Sequence, residues 1–138
     1  MAGCILRVAG LDFVPSDFLA GSSLVAFRQY VRGQPLSPVG RRSTQLHDGG
    51  GMCCDVSAHD DLAAQIRDAL AFLGRHEEDL RRLADAPRVE SRCLDSALLV
   101  QPDRVAASYA TFPAELLLAA GRLRIDLETS VYLCDSTE

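Results

Sequence analysis

FPAELLLAAGRLRIDLETSVYL, residues 112–133, reads as a short helix, a glycine stop at Gly121 and a strand. In the strand, Leu123, Ile125, Leu127, Val131 and Leu133 alternate with Arg124, Asp126, Glu128, Ser130 and Tyr132. Side chains on a strand point to opposite faces with a period of two, so one face packs on a core and the other meets water or a partner. Such alternation belongs to an antiparallel sheet with one covered face.

Working outward, residues 3–10 predict a first strand ending at Gly10, and Pro15 opens a short helical turn. SLVAFRQYV, residues 23–31, predicts a second strand with Leu24, Ala26, Arg28 and Tyr30 on one side and Val25, Phe27, Gln29 and Val31 on the other. The stretch 32–51 carries Pro35, Pro38, Gly33, Gly40 and the run Gly49 to Gly51, which reads as a long loop, a common place for binding. GMCCDVS then forms a short strand. Ser57 and Asp60 resemble a capping box before a helix with an apolar stripe of Leu62, Ile66, Ala69, Leu70 and Leu73, which Gly74 ends or kinks. A further helix runs from about His76 to Ala86 with Leu80 and Leu83 inward, stopped by Pro87. Residues 89–100 and RVAASYA, residues 104–110, predict a hairpin turned at Gln101, Pro102 and Asp103. Together these pieces predict a single α+β domain over 1–138: a two-layer sandwich with a mainly antiparallel sheet of five or six strands and two or three helices on one face.

The apolar fraction of 48% and charged fraction of 24% belong to a globular chain. No apolar run reaches the roughly 18–20 residues that span a bilayer, and the apolar start is broken at Arg7, which argues against a cleaved signal peptide. Cys4, Cys53, Cys54, Cys93 and Cys134 are odd in number and lack framework spacing, as expected of free thiols in the cytoplasm. All 14 basic residues are arginine, which a GC-rich coding sequence explains without selection for guanidinium contacts. A net charge of −5 argues against a nucleic-acid binder. The charge is uneven: no acid lies between Asp17 and Asp48, a span holding Arg28, Arg32, Arg41 and Arg42, whereas no base follows Arg124.

Chemistry is sparsely marked. His47, Cys53, Cys54 and His59 are zinc-ligand types, but adjacent cysteines on a strand diverge, so no metal and no cofactor are expected. A nucleophilic thiol needs a base beside it, which Cys54 finds in His47 or His59 only through folding. Gly49–Gly51 leads into a strand without a following lysine, which is a turn rather than a phosphate loop. Asp60–Asp61 and Glu77–Glu78 fit the positive ends of helix dipoles better than an acid/base pair. A protein without catalytic activity follows, and two binding surfaces are candidates. Asp126, Glu128, Tyr132 and Asp135 form an acidic strand suited to a basic protein partner. Alternatively, Arg28, Arg32, Arg41, Arg42 and His47 form an anion site for a small ligand or an enzyme's substrate. A third role, a homo-oligomer paired through an exposed strand edge, leaves the oligomeric state open.

In order, GLDFVP at residues 10–15, Arg32-Gly33, CDVSAHDDLAAQIRDALAFL and the closing FPAELLLAAGRLRIDLETSVY resemble the bacterial family DUF4279 over most of the chain. The chain has no tryptophan, where that family's third strand would carry one. The resemblance implies an accessory protein without catalytic residues, of the antitoxin or immunity type: a cytoplasmic inhibitor that sequesters a bacterial toxin.

Overall fold

The computed structural model describes residues 3–36, 45–104 and 106–134. Cys4, Leu6 and Val8 are at most 1% exposed, while Ile5, Arg7 and Ala9 between them are not buried, so the first strand, β1 (Gly3–Gly10), has one dry and one open face. Chain order continues with α1 (Pro15–Leu19), β2 (Ala26–Tyr30), β3 (Gly50–Ser57), α2 (Leu62–Arg75), α3 (Glu77–Asp85), β4 (Ser91–Val100), α4 (Ala114–Arg122) and β5 (Asp126–Leu133). The sheet order is β2-β3-β1-β4-β5; every pairing is antiparallel except β4 with β5, which is parallel. The mainly antiparallel α+β architecture read from the sequence is therefore present, with five strands and four helices among the described residues.

The parallel closing pair corrects one expectation. Residues 104 and 106–110 form no strand, and the described residues of 101–113 are turn and irregular structure ahead of α4. RVAASYA offers the sheet mostly alanine methyls, which bury little area, while β5 brings Leu127 against Leu94 at the same edge of β4. Parallel neighbours need a crossover, and α4 supplies it.

All four helices cover the same face. Met52 and Cys54 of β3 and Leu94 of β4 join β1's dry side chains in a single cluster with Phe72 and Leu73 of α2, Leu80 and Leu83 of α3, and Leu116 and Ala120 of α4. Phe18 and Leu19 of α1 pack against it. Each large aliphatic side chain so enclosed contributes about 1.5–3 kcal/mol.

Local details differ from the pattern reading. Asp61, not Ser57 or Asp60, caps α2 by accepting from the Ala64 N–H at 3.1 Å; Ser57 instead donates to Asp68 at 2.7 Å. The buried stripe of α2 includes Gln65 and Phe72, with Ile66 and Leu70 at its margin. Gly74 neither ends nor breaks this helix, which runs on to Arg75. Likewise α4 passes through Gly121 to Arg122. It ends in a paired cap: Arg124 N–H donates to the Gly121 carbonyl at 3.0 Å and Ile125 N–H to that of Ala120 at 2.9 Å. That geometry requires a left-handed residue, and Arg124 occupies it with φ of 57°.

A small polar clamp ties the segment between α1 and β2 to α3. Asp79 accepts from the Ser23 N–H at 2.8 Å and from its hydroxyl at 2.5 Å, while Arg82 donates to the Gly21 carbonyl at 2.9 Å and to Asp79 at 3.2 Å. No described helix is long and apolar enough to cross a membrane.

Candidate functional site

With every helix on one side, the other side of the sheet has no covering layer among the described residues. Strand register fixes which side chains share it. One row crosses all five strands as Arg28, Cys53, Arg7, Cys93 and Asp126. The next holds Asp55, Ile5, Asp95 and Glu128; beyond it come Ala97 with Ser130, then Leu99 with Tyr132. On the opposite flank lie Tyr30, Gly51, Ala9 and Ser91. Apart from Gly51, which the Tyr30 ring covers, none of these residues is buried.

Arg28 and Tyr30 reach this face through a bulge. Ala26 pairs with Cys54, whose side chain lies in the core, but Arg28 pairs with Cys53 on the open side, leaving Phe27 as the extra residue, 55% exposed. Strict alternation would have kept Leu24, Ala26, Arg28 and Tyr30 together. Instead Leu24 and Ala26 pack inward and Arg28 and Tyr30 turn outward, the re-aiming that a bulge produces.

The centre of the face is an ion cluster. Arg7 pairs with Glu128 across β4 and lies 3.7 Å from Asp95, whose two carboxylate oxygens accept from the Ser130 hydroxyl at 2.8 and 2.9 Å. Glu128 and Ser130 are thus held in place rather than free in solvent. Four carboxylates, from Asp55, Asp95, Asp126 and Glu128, face two guanidinium groups, so the face is acidic, most strongly along β5. Leu99 at 45% and Tyr132 at 53% exposure add an apolar margin beside those acids.

The β2 side of the face is aromatic and basic. Tyr30 stacks on His47 with ring centroids 4.1 Å apart, and the Arg28 guanidinium lies 5.7 Å from the Tyr30 centroid. The loop returns His47 to this position through bonds from the Gly33 N–H to the His47 carbonyl at 2.9 Å and from the His47 N–H to the Gln34 carbonyl at 2.8 Å. Two shallow depressions flank the stack: one of about 350 Å³ bordered by Gly10, Glu90 and Gly50, and one of about 370 Å³ bordered by Gln34, Pro35 and Leu36.

Both candidate surfaces therefore fall in part on one face. Asp126, Glu128 and Tyr132 lie at its β5 end, Arg28 and His47 at its β2 end. Arg32 turns away to Asp12, 3.5 Å distant. Asp135, Arg41 and Arg42 lie outside the described residues. Arg7 and Asp95, which organise the face, were not singled out in sequence; the off-core positions of β1 and β4 were the available signal.

The four zinc-type residues are dispersed. Cys53 looks out, Cys54 is 1% exposed in the core, His47 stacks on Tyr30, and His59 lies 3.7 Å from Asp68. Burial pushes the thiols of Cys4 and Cys54 up to about 11. Cys53 and Cys93 are also raised by desolvation, which Arg28 and Arg7 oppose for Cys53 and Arg7 for Cys93. These thiols stay protonated near neutral pH, which disfavours nucleophilic attack. Across two ladder spacings Cys53 and Cys93 are about 10 Å apart, beyond disulfide reach.

Ser23, His76 and Asp79 share the residue types of a hydrolytic triad but not its order. The Ser23 hydroxyl lies 2.8 Å from His76 Nδ1 and donates to Asp79. An activating histidine would accept the serine proton and be oriented by the carboxylate; here the carboxylate takes the hydroxyl bond. The two Ser23 hydrogen bonds hold the Asp79 carboxyl below its ordinary value, and burial lowers His76.

Compared with protein-family models, curated proteins and solved structures, the chain matches none.

Proposed function

We propose that the protein acts in the cytoplasm as a binding protein without catalytic activity that captures another protein on its uncovered sheet face. The observation supporting this reading is the face itself: a five-stranded surface, acidic toward β5, with an aromatic anchor in Tyr132 beside the fixed carboxylate of Glu128. Tyrosine bordered by held charges suits protein recognition, and the acidity suits a basic partner. In its most specific form, which follows the family resemblance, the partner is a bacterial toxin domain and the protein an immunity-type inhibitor that binds no nucleic acid.

The test is affinity capture from native cytosol with the wild type and with Asp126→Arg, Glu128→Lys and Tyr132→Ala, using Arg67→Ala on the helical side as a control. A stoichiometric partner, lost with the three face variants and retained by the control, is expected. Retention by all of them would refute the assignment of this surface.

The Arg28–Tyr30–His47 group favours a second reading, a small anionic ligand held beside the aromatic stack. Phosphate, nucleotides and carboxylates at millimolar concentration should then raise the melting temperature. Gly51→Ala, whose methyl would displace the Tyr30 ring, should abolish the rise. A flat wild-type response would reject this reading.

A further inference from the structure

The two edges of the sheet are finished differently. At the β2 edge, the Phe27 bulge, the Arg28 side chain and the Pro35–Leu46 bridge of the adjoining loop all discourage further pairing. At the β5 edge none of these devices is present: register with β4 is continuous from Asp126 to Leu133, and DLETSVYL contains no proline and no basic residue. Its helix-side positions run from half-buried Leu127 to Val131 at 57% and Leu133 at 72% exposure.

The free backbone groups can be identified. In a parallel ladder a residue's N–H and C=O point to the same side, and Cys134 N–H donates to the Val100 carbonyl at 2.8 Å. The even-numbered residues thus turn toward β4. Leu127, Thr129, Val131 and Leu133 direct their N–H and C=O outward, and no described strand lies beyond them.

We infer that a second copy of this chain occupies that edge, its β5 running antiparallel about a two-fold axis at Thr129. The sequence is self-complementary about that point. Leu127 meets the other copy's Val131, Ile125 meets Leu133, and Thr129 meets Thr129. On the open face, Asp126 meets Tyr132 and Glu128 meets Ser130, so each acid opposes a hydroxyl. Apolar pairs, threonine pairs and acid–hydroxyl pairs all favour the register, whereas an axis at Leu127 or Glu128 would set acid against acid. A one-residue shift to Ser130 would oppose Thr129 to Val131. The axis at Thr129 keeps helices on one side and gives a continuous ten-stranded sheet of isologous C2 symmetry.

Light scattering after size exclusion, over a range of loading concentrations, should return twice the chain mass. Thr129→Pro removes an outward N–H, which an edge strand tolerates, and Val131→Arg places charge in the seam; each should weaken dimerisation about tenfold or more while circular dichroism keeps the fold. Val131→Arg carries the test if the proline variant fails to fold. In an antiparallel hydrogen-bonded pair the Cα atoms are about 5.5 Å apart, within disulfide range, so Thr129→Cys should cross-link on mild oxidation well beyond the wild type, and Ser130→Cys should not. A monomer at every concentration, a dimer indifferent to Val131→Arg, or cross-linking through Ser130→Cys instead would overturn the inference.

Discussion

Replacing Arg124 with glycine should stabilise the protein. Arg124 is the left-handed residue of the α4 cap, and an L side chain in that conformation costs about 1–2 kcal/mol. Glycine removes the cost but adds about 0.5–1 kcal/mol of chain entropy to the unfolded state. The side chain is exposed, and no described residue bonds its guanidinium, while its carbonyl, which accepts from Arg92 Nε at 3.1 Å, survives the change. A net gain of about 0.5–1 kcal/mol remains, equivalent to about 2–3 °C in melting temperature for a chain of this size. Arg124→Val, with a branched Cβ in the same conformation, should lose about 1 kcal/mol. Urea unfolding and thermal melts of both variants provide the measurement. If Arg124→Gly melts below the wild type, or glycine and valine behave alike, the cap geometry does not control this junction and the reasoning fails.

The fully buried Gln65 donates to the carbonyls of His59 at 2.8 Å and Ala97 at 3.0 Å, but its Oε1 finds no partner among the described residues. Gln65→Leu should therefore cost about 1–2 kcal/mol, two lost bonds being offset by one relieved oxygen, and Gln65→Glu should cost more at neutral pH; equal stability of all three proteins in urea would contradict this. For the Ser23–His76–Asp79 clamp the pH signs agree. Lowered below 6.5, His76 favours protonation of the unfolded chain, so stability declines as pH falls past that value; lowered below 3.8, Asp79 contributes above that value and is lost as pH falls through its folded pKa. Asp79→Asn should flatten the acidic limb of a melting-temperature profile below about pH 4, and a curve parallel to the wild type would count against the clamp.

The layered α+β plan was legible because burial obeys periodicity. Leu6 and Val8 on β1 and Leu80 and Leu83 on α3 enter the core as their spacing requires; Leu123 and Ile125 do so too, but from the α4 cap rather than from β5, which begins only at Asp126. Errors collected where a single residue changes the phase. Phe27 bulges and turns Arg28 and Tyr30 to the open face; Arg124 adopts the left-handed cap in place of Gly121. Neither residue type signals such a conformation, since tertiary pairing selects it. The parallel β5 was hidden for a related reason: residues 104–110 alternate as well as a weak strand does, and competition for the β4 edge is decided by area buried against Leu94, which local pattern does not contain.

The same competition explains why the candidate site was only half visible. Glu128 and Tyr132 stood out from alternation in their own strand, but Arg7 lies 121 positions away and Asp95 33 positions away from Glu128. Their convergence depends on β1 lying between β3 and β4 and on β5 pairing in one register. A one-residue slip of β5 would send Glu128 to the helical side, where its charge would meet the core margin at Leu127's present position. Pairing Glu128 with Arg7 on the open face therefore opposes that slip as well as shaping the surface. Arg7→Met should accordingly loosen the β4–β5 ladder more than it lowers global stability, with faster hydrogen exchange at residues 126–133 than in β1 and β3; uniform acceleration across the sheet would reject a register role for this ion pair.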